Sequence, residues 1–104
     1  MSQLRTSLSK ELRKALPEIK YFYFSPPAGK QMKYPCVVYQ YAGDRTFFAD
    51  DVRFVNHKQY TVTIIDPNPD SIYSDMLLDY FDYISLDRPF TSDNLNHFVH
   101  TLFY

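Results

Sequence analysis

The stretch Tyr60-Thr61-Val62-Thr63-Ile64 alternates apolar and polar side chains without a break. A period of two places Tyr60, Val62 and Ile64 on one face of a strand, and Gln59, Thr61 and Thr63 on the other. Such a segment needs a sheet with one covered face. Asp66-Pro67-Asn68-Pro69 ends it. The cover has two sources in the chain. Residues 2–16 read as an amphipathic helix, because Leu4, Leu8, Leu12 and Leu16 fall on one stripe. Pro17 stops that helix. The second helix starts after Asn68 as its cap, with Pro69 first and Asp70 near the positive end of the dipole. It runs to about Tyr83 or Ile84. Ile72, Met76, Leu77, Tyr80, Phe81 and Ile84 form its apolar side, and Asp75, Asp79 and Asp82 form an acidic ridge.

The remaining segments are extended or broken. Residues 19–25 are β-rich with no clean polar face, so both sides are open to cover. Pro26-Pro27-Ala28-Gly29 opens a loop. Residues 36–41 form a second strand, with Pro35 at its start. Residues 42–51 read as a turn or a projecting arm, since Arg45, Phe47 and Phe48 follow neither period. Residues 52–66 form a third extended segment, bent near Asn56. Arg88-Pro89 breaks the chain again, and residues 95–104 form a last strand. The order α-β-β-β-α-β predicts one α+β domain over residues 1–104. Its sheet is mainly antiparallel with about four strands, and both helices pack on one face.

Composition and charge narrow the function. Ten Tyr and nine Phe are many for 104 residues, and each buried ring removes about 150–250 Å² from water. Some rings therefore stay at the surface, either on interfaces or simply covering strands. Only two glycines are present, which disfavours phosphate-cradling loops. No apolar run reaches the ~18 residues of a membrane span, and the start lacks a signal peptide's apolar stretch. The net charge of −1 exerts no general pull on nucleic acid. Its distribution is uneven. Residues 1–33 hold seven basic and two acidic groups, a net of +5. Residues 34–65 are balanced, and residues 66–104 hold seven Asp and one Arg, a net of −6. The two ends can pair within a subunit, pair head to tail between copies, or stay solvated.

No catalytic or metal constellation stands out. On a strand His97 and His100 point to opposite faces, so they make poor joint ligands. Asp66, Asn68 and Asp70 imitate the start of a calcium loop, but Pro67 and Pro69 stiffen it. Ser71 replaces the turn glycine, and the twelfth position is Leu77 where a Glu is needed. Cys36, beside Pro35, Val37 and Val38, reads as an inert apolar thiol. The helical carboxylates lack the apolar pocket that general acid catalysis needs. Lys20-Tyr21-Phe22-Tyr23-Phe24 could stack bases, yet the glycines of an RNA-binding strand are missing. The expectation is a non-enzyme without cofactor or metal.

The order and spacing of these elements resemble the tail terminator (tail-completion, head–tail joining) proteins of long-tailed, non-contractile bacteriophages. The matching features are the Leu-striped leading helix and the aromatic run Tyr21-Phe22-Tyr23-Phe24. They continue through Tyr34-Pro35 with the strand ending Tyr39-Gln40-Tyr41, and through Tyr60-Thr61-Val62-Thr63-Ile64-Ile65-Asp66-Pro67 with an aliphatic helix. The closing stretch from Asp93-Asn94 through His97 to Tyr104 matches too. The resemblance implies a hexameric ring of this chain in the virion, at the head-proximal end of the tail, assembled in the host cytoplasm. The ring halts tail-tube polymerisation and faces a head stopper or connector. Its partners are then copies of itself, the tail tube protein and the head stopper or connector, with no membrane and no specific nucleic acid. In such a ring Arg45, Phe47, Phe48, Arg53 and Phe54 are the expected arm residues toward a neighbour or the tube. A local hairpin packed on its own subunit is the other reading of them. Arg5, Lys10, Arg13 and Lys14 are expected to meet Asp75, Asp79 and Asp82 of the next copy. Residues 26–33 are candidates for ordering on docking. The alternatives are a different head–tail connector, a stopper or adaptor, or a small nucleic-acid-binding domain.

Overall fold

A computed structural model of the chain describes the backbone of residues 2–49 and 52–104, and the side chains of residues 7–43 and 58–104. The architecture is α+β. Helix α1 (Ser2–Ala15) leads into strands β1 (Tyr21–Phe24), β2 (Cys36–Ala49) and β3 (Val52–Asp66). Helix α2 (Tyr73–Tyr80) follows, then β4 (Ile84–Ser92) and β5 (Leu95–Phe103). The strands form one sheet in the order β1-β2-β3-β5-β4. β1 lies parallel to β2, and every other pair is antiparallel.

The alternating segment does what its period requires. Tyr60, Val62 and Ile64 are buried, and their register partners Tyr39 and Val37 on β2 and Leu102 on β5 are buried beside them. The Leu stripe of α1 supplies Leu8, Leu12 and Leu16 to the same cluster, and α2 supplies Leu77. Both helices thus cover one sheet face. Full burial of each such side chain contributes about 1.5–3 kcal/mol, which is why this stripe fixes the helix on the sheet.

The expected α+β class and mainly antiparallel sheet hold, and two details need correction. The sheet has five strands, because residues 84–92 form an edge strand where Arg88-Pro89 predicts a break, and the parallel β1–β2 pair makes it mixed. Pro89 is tolerated there because an edge strand has one side without ladder bonds. A register shift between Leu86 and Arg88 takes up the irregularity, and Asp93 and Asn94 turn the β4–β5 hairpin with φ of 54° and 62°. Helix α2 is shorter at both ends than its apolar spacing suggests. Asp66 Oδ1 accepts from the Asn68 N–H, and Asn68 Oδ1 accepts from the Asp70 N–H, so these side chains close turns instead of capping. The cap position is Ile72, and Phe81 is already extended. Residues 42–49, read as a turn or a projecting arm, continue β2.

Candidate functional site

The long β2–β3 hairpin is the most prominent feature for interaction. β2 has 14 residues and β3 has 15. β1 accompanies β2 only as far as Tyr39, and β5 accompanies β3 only as far as Gln59. Beyond these points residues 43–49 and 52–58 pair only with each other among the described strands, as a ribbon extending roughly 20 Å from the sheet. The molecule measures 47 × 26 × 24 Å. Arg45 pairs with His57, Phe47 with Val55, and Phe48 with Arg53. Arg45, Phe47, Phe48, Arg53 and Phe54 all stand on this ribbon, and their side chains lie outside the described residues. Gly43, at the root, has a φ of +128°, a conformation that side-chain-bearing residues rarely adopt. It sits beside a register shift between Tyr41 and Gly43.

The charged groups distribute over two flanks. On the β1 side, Arg13 of α1 lies 4.7 Å over the Phe22 ring, Lys30 lies 5.6 Å over Tyr23, and Lys33 lies 5.8 Å over Tyr21. The loop between β1 and β2 is tied down, since the Lys33 N–H donates to the Tyr23 hydroxyl at 3.1 Å. Lys10, Arg13 and Lys14 are exposed, whereas the Arg5 side chain lies outside the described residues. On the other side α2 packs over β5, and exposed Asp75, Asp79 and Asp82 project from it and its exit. Lys14 pairs with Glu11 at 3.5 Å, within its own helix. The predicted basic and acidic sets therefore stand on neighbouring helices at the surface.

Where the two helices meet, the Tyr80 hydroxyl donates to Glu11 Oε1 at 2.5 Å. That hydrogen bond lowers the Glu11 pKa and raises that of Tyr80. A cleft of about 330 Å³ opens here, lined by Glu11, Tyr80, Phe81, Asp82 and Tyr83 together with the C-terminal end of β5 and Tyr104. Phe81 contacts Tyr80 and Tyr104 edge-on, with ring centroids 5.0 and 6.4 Å apart. Sequence reasoning missed this cleft. Its parts come from three distant segments, and only the fold brings them together.

The titratable groups weighed for chemistry have structural surroundings. Cys36 is fully buried, and burial pushes its thiol up to about 11. His97 and His100 pair with Ile65 and Val62, on opposite faces as their spacing requires. Among the described residues no three His, Cys, Asp or Glu side chains gather as a metal site would need. Among them, too, no helix is long and apolar enough to cross a membrane. No protein-family model matches the chain, and no curated protein matches it in sequence.

Proposed function

We propose that this chain is a structural ring subunit of the tail terminator type, which caps the head-proximal end of a phage tail tube and joins it to the head. The observation that carries this reading is the self-paired β2–β3 ribbon, which holds Arg45, Phe47, Phe48, Arg53 and Phe54 beyond the sheet. An extension of this length gives a subunit reach toward a neighbour or the tube, and arginine and aromatic residues dominate interface energetics. The α+β subunit with helices on one face agrees with the fold that the resemblance implies.

Two further features support it. The flanks differ in sign: Arg13, Lys20, Lys30 and Lys33 lie toward the β1 edge, and Asp82 and Asp87 lie toward the β4 edge. In a head-to-tail ring the β1 flank of one copy faces the β4 flank of the next, so unlike charges meet and set register. The β4 edge itself is unsuited to strand addition. Pro89, the shift at Asp87 and the charges of Asp87 and Arg88 all blunt it. Contacts between copies then fall to side chains and ribbons, which permits a closed ring rather than an endless sheet.

The reading is tested by adding the purified protein to polymerising tail tube protein and measuring tube lengths by negative-stain microscopy. Short tubes with a distinct cap at one end are expected. An unchanged length distribution overturns the proposal.

A further inference from the structure

We propose that residues 25–35 form a strap over the sheet face opposite the helices, latched by Lys30 and Lys33 on the rings of Tyr23 and Tyr21, and that it opens without the rest of the fold to expose Cys36. The register identifies this face. Val37, Tyr39, Val62 and Ile64 belong to the core cluster that the helices cover. Side chains alternate along a strand, so Cys36, Val38 and Ile65 point the other way. Tyr21 and Tyr23 pair with Cys36 and Val38 and share that second face. Cys36 and Ile65 are nevertheless buried, although both helices pack on the first face. Their burial requires a cover, and the strap is placed to give it. It runs straight into Cys36, and its two lysines reach the rings beside Cys36 and Val38.

The latches are few and lie at the surface. The chain leaves β1 at Ser25 with a φ of 44°. A turn follows, closed by the Lys30 N–H on the Pro27 carbonyl at 3.2 Å, with Gly29 at a φ of 81°. Lys30 then lies 5.6 Å over Tyr23, and Lys33 lies 5.8 Å over Tyr21. The Lys33 N–H adds its 3.1 Å bond to the Tyr23 hydroxyl. Contacts of these kinds hold only weakly where water competes. The strap's own side chains add little, since residues 27–31, 33 and 34 are exposed and only Pro26, Met32 and Pro35 are half-buried. The sheet does not depend on these latches, because Cys36 and Val37 pair with Ile65 and Ile64 in the β2–β3 ladder. A segment held in this way opens at a far lower free energy than the whole fold. Closed, it keeps the Cys36 thiol protonated, at a pKa of about 11. Open, it bares that thiol together with Val38 and Ile65.

The test labels Cys36, the chain's one cysteine, with iodoacetamide in the full-length protein. The reagent is uncharged, so lysine substitutions do not bias its approach. Each rate is divided by that of the same protein in concentrated urea. Slow labelling is expected, at a rate that scarcely changes below the urea concentration at which the fold melts, because lifting the strap exposes little surface. Lys30→Ala and Lys33→Ala together should speed labelling about tenfold, about threefold for each exposed cation–π contact, with the urea midpoint unchanged. Tyr23→Phe removes the hydroxyl and keeps the ring, and should speed labelling about threefold. A parent rate that climbs with urea in step with global unfolding overturns the inference. So does a folded double variant that labels at the parent rate. The parent's urea dependence needs no variant, so it decides the matter even where the double variant fails to fold. The inference is independent of the ring reading: labelling is measured on the free protein, and neither outcome bears on assembly.

Discussion

His100 is fully buried and held at both ring nitrogens. Nδ1 lies 3.0 Å from the Val62 carbonyl, which can only accept, so Nδ1 carries the proton. Nε2 then accepts from the Ser74 hydroxyl at 2.8 Å, which ties α2 to β5. Burial lowers the pKa of this imidazole, although the Val62 and Phe98 carbonyls and the Asp87 carboxylate pull the other way. The unfolded chain therefore binds a proton near pH 6.5 that the folded chain resists. Its contribution to stability is complete above pH 6.5 and is lost as the pH falls through the lower folded value. Urea unfolding at pH 7.5, 6.5 and 5.5 is expected to show stability declining over that range. In His100→Asn the decline should be smaller, and an equal decline in both proteins contradicts the assignment. The histidine's burial could not be read from residues 95–104 alone, because only the register with Val62 reveals which face is covered.

At the scale of elements, legibility followed periodicity. The Leu stripe of α1 and the alternation before Asp66 are undisturbed, and both elements stand where their patterns put them. The ribbon was harder to read because register shifts at Tyr41/Gly43 and Phe47/Phe48 reset the period-two pattern. A strand with such bulges no longer alternates in sequence. β4 was hidden for a different reason: nearly all of it is exposed, so no buried face imposes a pattern, and Pro89 mimics a stop. The start of α2 was lost to competition, since the Asp66 and Asn68 side chains bond locally before the helix can begin. The ribbon also yields a test. Replacing residues 45–57 by Asn-Gly closes the hairpin with a two-residue turn between Asp44 and Lys58. Among the described residues the core cluster draws on the helices and on strand residues outside this span, so the unfolding free energy should stay within about 1 kcal/mol of the parent. Assembly should be abolished. An unfolded product would show that the ribbon belongs to the subunit's own core.

On the scale of the whole molecule, the chain is a small α+β body with a ribbon at one end and flanks of unlike charge. Of the net charges of +5 over residues 1–33 and −6 over residues 66–104, Lys20, Lys30 and Lys33 lie by the β1 edge and Asp87 by the β4 edge, whereas the charges of α1 and α2 stand on neighbouring helices. That arrangement favours a directional contact between copies, and a directional contact with closing rotation makes a ring. In the proposed ring that contact is charged and at the surface, so salt should weaken it. The most direct measurement is the native mass of the purified protein in low and in high salt, with and without tail tube protein, with negative-stain images of the same samples. A ring of about six copies that loosens as salt rises is the expected result. A strict monomer at every concentration, even beside the tube protein, contradicts the account.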